Sequence, residues 1–96
     1  MTIEQQTLNE QRIKIFKALA DETRLSIIKK LYDADKELTC GEACSERQST
    51  KSNASYHYRT LREAGLIKVR KEAQNRFVTL HKETFQQFLP GFLDTL

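Results

Sequence analysis

Turn signals are almost absent from the first 60 residues of this chain: Gly41 is the only glycine there, and no proline occurs. A small β-sandwich needs a turn about every 8–12 residues, so helix must dominate this stretch. The spacing of the apolar residues agrees. Ile13, Phe16, Leu19 and Ala20 recur at helical intervals, with Ile15 widening the stripe. Asp21 can cap a second helix, with Glu22 favourable in its first turn. Leu25, Ile28 and Leu31 follow, with Ile27 and Tyr32 beside them, until the pattern fades at Asp33-Ala34-Asp35. This second helix has a broad apolar face and is expected at the centre of the core.

Leu38-Thr39 reads as a short extended segment or the lead into a third helix. Thr39 is its expected N-cap, Glu42 completes a capping box, and Ala43 and Cys44 face inward. The polar run from Ser45 to Ser49 is a turn, and Ser49 or Thr50 can cap a fourth helix over about residues 51–64. Gly65 follows where a left-handed residue would end it. Beyond it the period drops to two. Leu66–Arg70 and Arg76–Leu80 read as strands joined by the five residues Lys71–Asn75, four of them polar, a hairpin with a basic tip in which Asn75 is the candidate for a positive φ. The chain then carries Phe85, Phe88, Leu89, Phe92, Leu93 and Leu96, interrupted by Pro90. Two short helices or one kinked helix are expected, with Pro90 near the start of the second piece. So apolar a segment, 82–96, is expected to pack on the first helix and on its copy in a second subunit, making a homodimer.

Ninety-six residues suit a single domain spanning 1–96. The formal charge is only +3, yet residues 47–76 hold eight Lys/Arg against Glu63 and Glu72, so the rest of the chain is net acidic. Such asymmetry suggests a polyanion-binding segment on a neutral-to-acidic body. No nucleophile–base pair, Gly-rich phosphate loop or metal-ligand cluster is visible, which argues against an enzyme and implies no cofactor and no metal. A polar start, two cysteines and no long apolar run point to a cytoplasmic protein without a membrane partner.

The order of helix, helix, short helix, turn, polar-faced helix and basic hairpin fits a winged helix-turn-helix: a mostly α fold with one β-hairpin wing at about 66–80, dimerising through its N- and C-terminal helices. Ala54, Tyr58 and Leu61 recur at i, i+4 and i+7 and would face inward from the fourth helix. That leaves Lys51, Ser52, Ser55, Tyr56 and Arg59 outside, with Asn53 beside them, a small polar surface able to enter a major groove about 12 Å wide. Arg70, Lys71, Gln74 and Arg76 of the hairpin would reach the flanking backbone or minor groove of double-stranded DNA. His57 would lie near a phosphate or pack beneath the helix. Asp21 and Arg24 are expected to hold helix ends and facing loops. A winged helix that meets an acidic protein instead of DNA is the alternative reading.

Two segments resemble the ArsR/SmtB family of bacterial repressors. Phe16-Lys17-Ala18-Leu19-Ala20-Asp21-Glu22-Thr23-Arg24-Leu25 is similar to that family's entry to its second helix. Ser55-Tyr56-His57-Tyr58-Arg59-Thr60-Leu61-Arg62-Glu63-Ala64-Gly65-Leu66 is similar to its recognition-helix signature, with Tyr58 where leucine is more usual. The resemblance spans about residues 13–80 and implies a homodimeric repressor of a partly palindromic operator, its two recognition helices in major grooves about 34–36 Å apart. Relatives often release DNA on binding a metal, but Cys40 and Cys44 lack the family's closer thiol spacing, and His81, Glu83 and Asp94 do not match its C-terminal site. Three readings of the cysteines stand: plain packing, a thiol-oxidation switch, or a soft-metal or arsenical ligand pair. At i and i+4 of a helix their Cβ atoms would lie about 5–6 Å apart against the roughly 3.5–4.5 Å of a disulfide, so oxidation would distort the helix.

Overall fold

The computed structural model describes residues 2–44 and 51–96, with side chains from Asn53 onward in the second stretch. The expected turn at 45–49, the Ser49 or Thr50 cap and the side chains of Lys51 and Ser52 lie outside the described residues. The order is α1 (Ile3–Leu19), α2 (Glu22–Ala34), β1 (Leu38–Thr39), α3 (Cys40–Ala43), α4 (Lys51–Glu63), β2 (Ile67–Glu72), β3 (Asn75–Leu80), α5 (Lys82–Phe88) and a closing 3₁₀ turn, Leu93–Thr95. This is a mostly helical winged helix-turn-helix with a small antiparallel sheet. No helix among the described residues is long and apolar enough to cross a membrane.

Local chemistry explains most boundaries. Asp21 accepts the Arg24 backbone N–H and starts α2, and Thr39 and Glu42 form the reciprocal capping box of α3. α4 ends in a Schellman arrangement: Leu66 N–H returns to the Leu61 carbonyl, Gly65 N–H returns to Arg62, and Gly65 has φ +79°. The positive φ favours glycine here, and a Cβ would also stand 3.2 Å from Gln11 Nε2 of α1, which would have to shift by a few tenths of an ångström.

Four expectations are corrected. α1 begins about ten residues before its apolar stripe, at a Thr2/Gln5 capping box. The stripe also divides: Ile15 is buried, on the same side as the buried Ala18, whereas Ile13 and Phe16 stay 52% and 55% exposed. At 100° per residue these pairs point to different sides of the helix, and only one side can meet the core of its own chain. In the hairpin the ladder runs to Glu72↔Asn75. The turn is therefore Ala73-Gln74, and Ala73 rather than Asn75 takes the positive φ, +55°. Pro90 does not open a second α-helix. It sits with Gly91 (φ +81°) in a turn that folds the tail back, stacking Phe92 on Phe85 at 6.2 Å between ring centroids.

The sheet order is β1-β3-β2. One of its faces, Ile67, Leu38 and Val78, closes on Ile27, Ile28 and Leu31 of α2 and Leu61 of α4, within a core that also holds Ile15 and Phe85.

Candidate nucleic-acid interface

The inner side of α4 is fixed. Tyr58 and Leu61 are buried and Ala54 is half-buried, as their spacing predicts. The Tyr58 hydroxyl donates to the Cys40 carbonyl in α3, joining the two helices on either side of residues 45–50. Burial pushes the Tyr58 phenol up, so it remains a donor. The polar atom that replaces the family's usual leucine is thus satisfied within the helix-turn-helix.

The outer side of α4 carries exposed Asn53, Ser55, Tyr56 (57% exposed) and Arg59. Arg62, also exposed, extends the stripe. Its place was readable from the i, i+4, i+7 relation of Ser55, Arg59 and Arg62. His57 stands apart from these. Its side chain is only 13% exposed, and its Nδ1 lies 3.1 Å from Arg24 Nη1. Buried Arg24 also donates from Nε to the Ala18 carbonyl at 2.7 Å and from Nη2 to the Lys17 carbonyl at 3.3 Å. These are carbonyls of the last turn of α1, which lack helical partners. Arg24 therefore holds a helix end, as expected, and also reaches α4, which the sequence did not reveal. Its backbone N–H holds the Asp21 carboxyl below the usual carboxylate range.

The hairpin register sorts the basic wing residues by face. Lys71 pairs with Arg76 on the side that begins with Ile67 and Val78, and Arg70 pairs with Phe77 on the other. Lys71, Gln74 and Arg76 are exposed at the tip. Arg70 is engaged within the chain. It meets Glu37 at 2.5 Å and Glu72 at 2.6 Å, and its guanidinium lies 4.5 Å from the Phe77 ring centroid. These two carboxylates raise its pKa further and offset its charge. The structure thus leaves the described outer face of α4 and the wing tip as exposed polar and basic surfaces, and ties Arg70 and His57 to neighbours.

Cys44 is buried at the C-terminal cap of α3, with extended backbone angles, so the two cysteines do not share one regular helix. Burial pushes the Cys40 thiol up, the direction opposite to that of a reactive thiolate. Among the described residues no group of three or more His, Cys, Asp or Glu is placed to hold a metal ion.

Known proteins share this arrangement. The family model of a helix-turn-helix domain matches residues 19–70. YceK of Bacillus subtilis, an uncharacterised HTH-type transcriptional regulator, is 51% identical over all of this chain and 95% of its own length. The solved structure of reduced HlyU from Vibrio cholerae has a TM-score of 0.65 at 33% identity, covering 92% of this chain and 98% of that one. HlyU is a transcriptional activator. The homodimeric winged helix-turn-helix DNA-binding domain of Mb0332 from Mycobacterium bovis superimposes with a TM-score of 0.75 at 21% identity, over 92% of this chain and 81% of that one.

Proposed function

The chain belongs to the ArsR family of helix-turn-helix transcriptional regulators, and from that premise we propose that it is a homodimeric repressor reading a partly palindromic operator with α4. The observation that carries this reading is the division of α4 into a buried apolar side and an exposed side of small polar and basic residues. Ser52, Asn53 and Ser55 are short enough to approach base edges; Lys51, Tyr56 and Arg59 meet phosphate or sugar. Lys71, Gln74 and Arg76 take the flanking backbone or minor groove. Arg70, held by two carboxylates, supports the wing, and His57 acts through its place behind the helix.

Exposed Ile13 and Phe16, with Ile3 at 82% exposure, give α1 an apolar side that its own chain does not cover. The half-buried tail residues Phe88, Leu89, Phe92 and Leu93 add to it. A second copy is the occupant that the homodimeric Mb0332 fold suggests. Such a dimer covers about 20 base pairs across two major grooves and excludes other proteins from them, hence repression. The activator HlyU represents the opposite outcome, and a promoter fusion separates the two: higher reporter output without the protein is expected.

The direct test is duplex titration over a salt series. Affinity should fall steeply and log-linearly with salt for a cognate duplex; weak or salt-insensitive binding favours an acidic protein partner instead. For Cys40 and Cys44, burial favours packing over sensing. Oxidised, reduced and Cys40→Ser/Cys44→Ser protein should bind the same duplex with equal affinity, and a loss confined to oxidised wild type restores the thiol switch.

A further inference from the structure

We propose that Arg24 is the positioning residue of α4, fixing the rotation of that helix by holding His57 at Nδ1. This rests on the DNA-reading role proposed above for α4 and adds how its angle is set. An arginine guanidinium only donates hydrogen bonds, so the 3.1 Å contact makes His57 Nδ1 the acceptor and places the imidazole proton on Nε2. The ring is thereby tied to a group that is itself anchored on the Ala18 and Lys17 carbonyls. Asp21 Oδ2 stands 3.8 Å from the same Nδ1, too far for a hydrogen bond, and instead accepts the Arg24 N–H at 2.9 Å. Tyr56 packs edge-on to the His57 ring at 5.8 Å, with the Arg24 guanidinium 5.9 Å from its own centroid. One buried cation therefore links the end of α1, the start of α2 and the middle of α4.

The consequence falls on sequence discrimination. Long side chains such as Arg59 can follow a phosphate when the helix rolls by a few degrees. The short Ser52 and Ser55 side chains cannot follow a base edge in the same way. Releasing the contact should cost selectivity while leaving the phosphate-driven part of binding intact.

The test uses His57 variants, because Arg24 also satisfies buried carbonyls and its loss risks the fold. Asparagine can place its carbonyl oxygen near the position of Nδ1 and keep an acceptor for Arg24; phenylalanine keeps the bulk and removes the acceptor. Affinity is measured for a duplex recovered by the wild type from a random pool, and for a scrambled duplex of equal length. His57→Asn should bind both within about twofold of wild type. His57→Phe should lose about tenfold on the recovered duplex and little on the scrambled one, the size expected for one hydrogen bond to a charged group. Equal losses in Asn and Phe variants would assign His57 a direct contact through Nε2 and overturn the proposal. So would an unchanged preference in His57→Phe, or equal weakening on both duplexes. If the wild type recovers no duplex at all, it is the DNA-reading role of α4 that fails.

Discussion

α4 and the wing tip both present basic and polar side chains outward, but they are supported in opposite ways. α4 is backed by Tyr58 and Leu61, by the Tyr58 hydroxyl on Cys40, by the Arg24–His57 contact and by the Gly65 cap. From Lys71 to Arg76 every residue of the wing is exposed, and the tip is shaped by its ladder, with Arg70 braced on Glu37 just below it. The contrast matches two kinds of contact. Base edges sit at fixed positions in a groove and need a rigid reader, whereas phosphates carry charge along the whole backbone and can be met by a long side chain on a looser support.

Substitutions on each side sharpen the contrast. Leu61→Ala removes a fully buried side chain from behind α4 and should cost about 2–5 kcal/mol in denaturant unfolding. Tyr58→Phe should cost about 1 kcal/mol, since the Cys40 carbonyl keeps the Cys44 N–H but loses the hydroxyl. On the wing, Arg76→Ala should leave stability almost unchanged and make the slope of log affinity against log salt shallower by about one. Ala73→Gly relieves a left-handed alanine and should stabilise by roughly 0.5–1 kcal/mol, with no effect on that slope. Arg70→Ala should change the slope least of all, because two carboxylates already offset its charge. A slope change equal to that of Arg76→Ala would make the two wing arginines equivalent in their contact with DNA.

Much of this was legible in the chain. The order of elements, the Asp21 and Thr39 caps, the Gly65 stop and the inward Ala54, Tyr58 and Leu61 all follow from local rules that act over a few residues. What escaped depends on partners far apart in sequence. Periodicity marked Ile13 and Phe16 as apolar but could not choose which side of a two-sided stripe meets the chain's own core. Composition counted Arg70 among the basic residues, while Glu37, 33 positions earlier, changes its role. Arg24 and His57 are likewise 33 residues apart. The early start of α1 is different in kind: Thr2 and Gln5 carried the capping-box spacing, but no apolar stripe drew attention to it.

The outer side of α4, present twice in a symmetric dimer, is proposed to read a specific duplex. Selection from a random duplex pool with the full chain, with the mass of the bound species determined in parallel, tests it most directly. The expected result is enrichment of a partly palindromic sequence whose half-sites lie one helical turn apart, about 10–10.5 base pairs, bound by two copies. A pool that stays random after repeated rounds, or an asymmetric site bound by one copy, contradicts it.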